Sequence, residues 1–189
     1  MTVHGLLLAA GAGRRMGGPK ALLRDGSGVP FVVRAVQVLS DGGCDAVTVV
    51  VGAAADEVRV LVEPLDVSVV VAEDWAEGMG ASLRAGLAAP SLEGADAVVV
   101  GLVDLPDVGA DVVRRLLAAA PAGAAALARS TYDGHPGHPV LLGRDHWAGV
   151  VATATGDRGA RDYLTEHPPL LVECGDLATG RDVDRPEET

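Results

Sequence analysis

The sequence predicts an α/β fold of three layers, α/β/α, in which a Rossmann-like, mostly parallel sheet forms the middle layer. Short apolar segments rich in valine alternate with segments of helical periodicity along the chain, and this order builds parallel sheets with right-handed crossovers. The runs at 47–51 and 98–100 lack polar alternation, which is typical of strands covered on both faces. The length of 189 residues, of which 49% are apolar, suits one domain over 1–189.

Seven segments are predicted as strands and five as helices. The strands are residues 4–10, 46–51, 67–72, 95–103, 124–129, 139–142 and 170–174, and the helices are residues 30–39, 56–63, 80–89, 110–119 and 157–167. Pro30 suits a first helical turn, and Gly42 and Gly43 end that helix. Residues 130–147 are less regular and are interpreted as an excursion near the site. In such sheets ligands bind beyond the carboxyl ends of the strands.

Charge and composition exclude several classes of partner. The formal net charge of −11 comes from 26 acidic and 15 basic side chains, and this field repels phosphate backbones and anionic lipids. We therefore expect no nucleic-acid or membrane partner. Cys44 and Cys174 have neither disulfide nor metal spacing. No signal peptide and no apolar run of about 20 residues is found, so a soluble, cytoplasmic protein is expected.

A glycine-rich loop, residues 9–20 with the sequence AAGAGRRMGGPK, follows the first predicted strand. Glycines at this place let backbone N–H groups approach phosphate oxygens. A dinucleotide fingerprint is disfavoured because Met16 stands at its third glycine and no acidic residue ends the second strand. A Walker A loop is disfavoured because Pro19 precedes the lysine and Ala21 follows it.

Lys20 is the only lysine of the chain; the other fourteen basic residues are arginines. An ammonium approaches a phosphate as a point charge, whereas a guanidinium needs a fork geometry. The alternative is an ordinary solvated charge. Its position beside glycines and arginines in an acidic protein favours a phosphate-binding role.

The segment 8–20, LAAGAGRRMGGPK, resembles the signature of nucleotidyltransferases similar to molybdenum-cofactor enzymes. These transfer a nucleoside monophosphate from an NTP to a phosphorylated acceptor, on a fold of the nucleotide-diphospho-sugar transferase type. The resemblance implies that the loop wraps the triphosphate while Arg15 and Lys20 neutralise it; Arg14 occupies a variable position. The implied nucleotide-binding residues of the loop are Leu8, Ala9, Ala10, Gly11, Ala12, Gly13, Arg14, Arg15, Gly17 and Lys20.

Two acidic residues are predicted to hold Mg²⁺. Asp104 directly follows a buried strand, and Mg²⁺ takes one or two carboxylates together with substrate phosphates. Helix capping is the alternative, for which Asp107 is better spaced. The segment 182–188, DVDRPEE, resembles the closing acidic motif of the family, although Arg185 replaces a threonine. Asp184 is therefore the predicted second ligand and Asp182 the next choice; a solvated acidic tail is the alternative.

Three further segments resemble family motifs. Residues 77–87, EGMGASLRAGL, resemble the segment that places a serine near the base, although Gly80 and Ala81 replace common serines. Ser82 is thus predicted to contact the base or ribose, with helix N-capping as the alternative. Two segments on the acceptor side, 134–140 and 156–161, imply the acceptor contacts His138, Pro139, Asp157 and Arg161. A zinc pair of His135 with His138 is disfavoured, and N-capping is the alternative for Asp157.

The predicted reaction is transfer of CMP from CTP to the terminal phosphate of molybdopterin, with Mg²⁺, and release of pyrophosphate. The resemblance assigns catalysis to Lys20, Arg15 and Asp104. The Ala9-Ala10-Gly11 start and Pro19-Lys20 end of the loop favour CTP. Alternatives are a guanylyltransferase acting on molybdopterin, phospholactate or phosphoenolpyruvate, and a non-catalytic chaperone for the finished cofactor. A dinucleotide oxidoreductase is disfavoured by Met16. The expected protein partner is a molybdenum hydroxylase that receives the cofactor.

Overall fold

Strands and helices alternate in a computed structural model that describes residues 1–14 and 17–182. Within these ranges the strands are β1 (Val3–Ala9), β2 (Ala46–Val51), β3 (Val67–Val71), β4 (Ala97–Leu102), β5 (Leu127–Tyr132), β6 (His135–Gly143) and β7 (Leu170–Glu173). The helices are α1 (Phe31–Asp41), α2 (Ala55–Val62), α3 (Met79–Leu87), α4 (Ala110–Ala119), α5 (Arg144–Thr153) and α6 (Arg161–Glu166). None of the helices in the described ranges is long and apolar enough to cross a bilayer.

The seven described strands form a single sheet in the order β3-β2-β1-β4-β6-β5-β7. Strands β3, β2, β1 and β4 are parallel neighbours, with Leu8 of β1 level with Val50 of β2 and Leu102 of β4. Strand β6 runs antiparallel to both β4 and β5, and β7 pairs in parallel with β5. The predicted α/β fold with a mostly parallel sheet is confirmed.

Two apolar layers cover the two faces of the sheet. Helices α1, α2 and α4 pack on one face and α3, α5 and α6 on the other. Leu6 and Leu8 of β1 face the α3 side, whereas Leu7 and Ala9 face the α1 side, and all four are buried. Burying a leucine stabilises a fold by roughly 1.5–3 kcal/mol. Burial on both faces explains why the strand sequences do not alternate with polar residues.

The interpretation of 130–147 as an irregular excursion is wrong. This segment contains the end of β5, all of β6 and the beginning of α5. The β5–β6 turn is the pair Asp133-Gly134, with φ values of 50° and 78°. Positive φ at both central residues is the backbone of a tight hairpin turn, for which Asp-Gly is a strong sequence signal. The helix predicted at 157–167 is also shorter, because Gly159, with φ of 53°, separates a 3₁₀ turn from α6.

Candidate functional site

A cleft of about 410 Å³ opens at the carboxyl ends of β1 and β4, where ligands of parallel sheets bind. Most of the residues predicted to bind a nucleotide line it. They are Leu8, Ala10, Gly11, Ala12, Gly13, Arg14, Lys20 and Ser82. Ala9 does not, because it is buried on the α1 side; Gly17 is exposed outside the cleft lining. Arg15 lies outside the described residues.

The glycine loop has a backbone that only glycine accommodates at one position. Gly13 has a φ of 56°, and its carbonyl accepts a hydrogen bond of 3.2 Å from the N–H of Gly18. A Cβ added to Gly13 would lie 1.8 Å from the carbonyl oxygen of Gly18, so a larger residue would force the loop apart. The carbonyl of Ala10 accepts from Ala53 N at 3.1 Å, which ties the loop to the end of β2.

Lys20 and Asp104 meet in the cleft although 84 positions separate them in the chain. Lys20 Nζ donates to Asp104 Oδ2 at 2.8 Å, and the two side chains are 18% and 20% exposed. Lys20 begins a short 3₁₀ helix after the glycine loop, and Asp104 follows β4 by two residues. The carboxyl ends of adjacent parallel strands therefore bring together the predicted phosphate-binding cation and the predicted metal carboxylate.

The oxygen chemistry of Asp104 fits Mg²⁺, which binds one or two carboxylates and completes its shell with water and phosphate oxygens. The described residues contain no group of three His, Cys, Asp or Glu side chains that could hold a metal by themselves. Asp184, the predicted second ligand, lies outside those residues, and Asp182 is exposed.

The segment that leads to the acidic motif is tied to the loop after β4. Asp107 Oδ2 accepts hydrogen bonds from both the N–H and the hydroxyl of Thr179, each at 2.6 Å. The two bonds anchor Thr179 to the loop after β4, at a residue three positions beyond Asp104. The interpretation of Asp107 as a helix cap is wrong, since α4 begins after Gly109 without a side-chain capping bond.

Trp75 and the first turn of α3 also line the cleft. Trp75 packs on Gly52, where an added Cβ would lie 2.6 Å from its Cγ. Ser82 is buried in the interior of α3, so the N-cap alternative for it is wrong. Gly80 packs against a tight turn, with an added Cβ only 2.8 Å from Thr155 N, which explains why a small residue stands there. Trp75 was not predicted, although it lies just beyond β3.

A second pocket of about 80 Å³ adjoins the cleft and shares Leu8, Met79 and Asp157 with it. The predicted acceptor residues His138, Asp157 and Arg161 line this pocket. Asp157 lies inside a 3₁₀ turn whose N-cap is Thr155, and α6 begins after Ala160, so the capping alternative for Asp157 is wrong.

Pro139 does not line this second pocket. It contributes instead to a small apolar cavity on the α1 side, beside Phe31 and Pro106. His138 and Pro139 are neighbours on β6, and consecutive strand residues face opposite sides of a sheet. Only one of the two can therefore face the second pocket.

Cationic side chains give the second pocket its electrostatic character. Arg129 on β5 donates from Nε to the carbonyl of Gly137 at 3.0 Å. Burial, followed by the positive charge of Arg129, lowers the pKa of His138 to about 4, so His138 is neutral at pH 7. Burial, followed by the charge of Arg161, lowers the pKa of Arg129. Arg129 was not among the predicted residues.

Comparison with known proteins finds a matching family and similar sequences. The family profile of the MobA-like NTP transferase domain matches residues 5–170. The nicotine blue oxidoreductase of Paenarthrobacter nicotinovorans is 40% identical over 196 residues, covering 98% of this chain and 94% of that protein. The molybdenum cofactor guanylyltransferase of Rhodobacter capsulatus is 37% identical over 134 residues, covering 70% of this chain and 66% of that protein.

Solved structures share the fold. A nucleotidyl transferase from Methanothermobacter thermautotrophicus superposes with a TM-score of 0.81 at 24% identity, covering 99% of this chain and 94% of that one. The protein Rv0371c of Mycobacterium tuberculosis H37Rv, in complex with manganese, gives a TM-score of 0.73 at 26% identity and covers 97% of this chain and 94% of that one. Family and fold together support an enzyme of the nucleotidyltransferase class.

Proposed function

This chain belongs to the MobA-like NTP transferase family, and on that premise we propose that it is a nucleotidyltransferase acting on a molybdopterin-type acceptor. The contact between Lys20 and Asp104 carries the proposal. It joins a cation suited to a triphosphate with a carboxylate suited to Mg²⁺, beside a glycine loop and in one cleft. Transfer of a phosphoryl-type group requires mainly positioning and neutralisation of charge.

In the proposed reaction, an oxygen of the acceptor's terminal phosphate attacks the α-phosphorus of the NTP. The bond between the α-phosphorus and the bridging oxygen to the β-phosphorus breaks, and pyrophosphate leaves with that oxygen. Lys20, Arg15 and the loop amides bind the β- and γ-phosphates. In the complex the ammonium of Lys20 exchanges Asp104 for a phosphate oxygen, which frees the carboxylate. Asp104 and Asp184 would hold Mg²⁺, which supplies neutralisation of the triphosphate charge when bound.

For the nucleotide we propose CTP, on the strength of the Ala9-Ala10-Gly11 start of the loop and the proline before Lys20. The relative named as a guanylyltransferase favours GTP instead, so GTP is the direct competitor. The proposed acceptor is molybdopterin, and a molybdenum hydroxylase is the proposed recipient of the product.

Calorimetric titration with CTP, GTP, UTP and ATP, each with Mg²⁺, tests this proposal. We expect CTP to bind selectively. Its binding should be weakened about 10- to 150-fold in Lys20→Ala but retained in Arg59→Gln, which removes an exposed cation from α2. Release of pyrophosphate on addition of molybdopterin then tests turnover. Selective binding of GTP would overturn the choice of nucleotide. If none of the four nucleotides bound while the fold was intact, the proposed nucleotidyltransferase function would be overturned. A non-catalytic chaperone for the finished cofactor would then be favoured.

An oxidoreductase is the second candidate, because the relative of that name is 40% identical over nearly its whole length. In this role a reduced nicotinamide dinucleotide would pass a hydride to an organic acceptor, which gains a proton from water. Against it, Gly52, which Trp75 covers, directly follows the second strand, where a dinucleotide site of the Rossmann type has an acidic residue for the ribose. Oxidation of NADH or NADPH on addition of nicotine blue, followed by the absorbance at 340 nm, would favour this candidate.

A further inference from the structure

The lining of the second pocket is locally positive, although the chain as a whole is acidic. Arg129, Arg158 and Arg161 all line it, and Asp157 is its one acidic lining residue within the described part of the chain. The protein as a whole has a net charge of −11. Such a local reversal of sign attracts an anionic ligand, because nearby cations dominate the field inside a small pocket.

Arg129 stands where an apolar residue is expected. It is level with Val140 of β6, a buried residue of the layer that α3, α5 and α6 cover. Between Arg129 and Thr131 the β5–β6 pairing shifts in register, and such irregularities commonly re-aim a side chain beside a site. The half-buried Arg129 side chain thus faces the second pocket from the sheet face that α3, α5 and α6 cover.

The charge of Arg129 has no carboxylate partner among residues 1–14 and 17–182. Its Nε donates to Gly137 O, whereas the neighbouring Arg158 forms an ion pair with Asp162. Burial and the charge of Arg161 both disfavour the cationic form of Arg129. An unpaired cation in this environment costs free energy, and a bound oxyanion would offset that cost through paired N–H donors.

We propose that Arg129, assisted by Arg161, binds an oxyanion of the second substrate and selects acceptors that carry an anionic group apart from the reacting phosphate. Arg129 lines the second pocket but not the cleft that holds Lys20 and Asp104. An oxyanion held by Arg129 would therefore lie beside the proposed triphosphate site and not within it. That this oxyanion belongs to the substrate which accepts the nucleotidyl group rests on the proposed function. The existence of an oxyanion site at Arg129 does not.

Nuclear magnetic resonance titration with inorganic phosphate tests the site residue by residue. In the wild type we expect saturable shifts of the Arg129 Nε–H signal and of the His138 ring signals. In Arg129→Gln the dissociation constant read from His138 rises at least tenfold, while the response of the glycine-loop amides is unchanged. Arg59→Gln, an equal change of charge on the α1 side, leaves both responses unchanged. Arg129→Lys keeps the charge without the fork and gives an intermediate affinity.

An unchanged His138 response in both Arg129 variants, or shifts confined to the glycine loop, would overturn the inference. The outcome is separable from that of the proposed function. If the protein binds nucleotide but Arg129 does not respond to phosphate, the oxyanion site is overturned and the proposed function is not. A response at Arg129 in a protein that binds no nucleotide supports the oxyanion site and counts against the nucleotidyltransferase.

Discussion

The parallel half of the sheet, β3-β2-β1-β4, and the mixed half, β6-β5-β7, contribute different chemistry to the cleft and the adjoining second pocket. The parallel half offers a backbone loop of small residues, with Lys20 and Asp104 at its centre. The mixed half offers long side chains, chiefly Arg129 and His138, on paired strands. A site built from backbone depends on dihedral angles that few residues can adopt. A site built from side chains can lose one cation and keep part of its affinity, so mutations in the two halves should differ in severity.

The largest effect is expected at Asp104 in the parallel half. Asp104→Asn should lower turnover about 100–1,000-fold, because one group that organises transition-state charge is lost. Pyrophosphate release measures the rate, and circular dichroism checks that the fold is intact. Asp111→Asn is the matched control, since Asp111 is an exposed carboxylate on α4. Turnover retained by Asp104→Asn would contradict the metal assignment.

Removal of the ammonium should have the next largest effect. Lys20→Met is expected to weaken nucleotide binding about 10- to 150-fold, the equivalent of a charge-assisted hydrogen bond of about 1.5–3 kcal/mol. Lys20→Arg should recover only part of the affinity, because a planar fork does not fit a site for a point charge. Calorimetry on both variants measures this. Equal affinities in Lys20→Met and the wild type would mean that the triphosphate binds elsewhere.

A comparison of two glycines tests whether the backbone itself forms the nucleotide site. Gly13→Ala should cost about 1–3 kcal/mol of stability through strain at positive φ and should weaken nucleotide binding. Gly18→Ala is the control within the same loop, because a Cβ there meets nothing within 4 Å. Thermal unfolding and calorimetry distinguish the two. Similar behaviour of both variants would show that the loop rearranges freely.

The sequence predicted the parallel half well because its strands are continuous apolar runs and its site lies at their ends. It located the glycine loop, Lys20 and Asp104 separately; their contact follows from the parallel pairing of β1 with β4. The mixed half was harder. Strand β6 begins with the polar segment His135-Pro136-Gly137-His138, so only its apolar end was recognised, and α5 was missed.

Side-chain direction explains the remaining errors in the mixed half. Pro139 was grouped with His138, although adjacent strand residues face opposite layers. Arg129 was overlooked because an arginine near a predicted strand end is ordinarily solvated. Only the register of β5 against β6 reveals that it faces the pocket. The pair Asp133-Gly134 would have indicated the hairpin, and with it the antiparallel strand.

The smallest effect is expected at Glu173, which holds the mixed half together and lines neither the cleft nor the second pocket. Its carboxylate accepts hydrogen bonds from the Thr131 hydroxyl and from the N–H groups of Asp133, Gly134 and Gly175. These bonds, the Thr131 bond first, lower the pKa of Glu173 from its ordinary 4.5 to about 2. Because the folded-state pKa is the lower one, the stabilisation is complete above about pH 4.5 and is lost as the pH falls toward 2.

Glu173→Gln should therefore unfold at a lower temperature than the wild type at pH 7, with the difference shrinking as the pH approaches 2. Glu166→Gln, which changes an exposed carboxylate at the end of α6, is the control and should follow the wild type at each pH. Thermal unfolding between pH 2 and 7 measures both. Since Glu173 fixes only the β5–β6 turn and the end of β7, nucleotide affinity should not change. A loss of nucleotide binding in Glu173→Gln would show that the two halves of the sheet are coupled and do not act as separate sites.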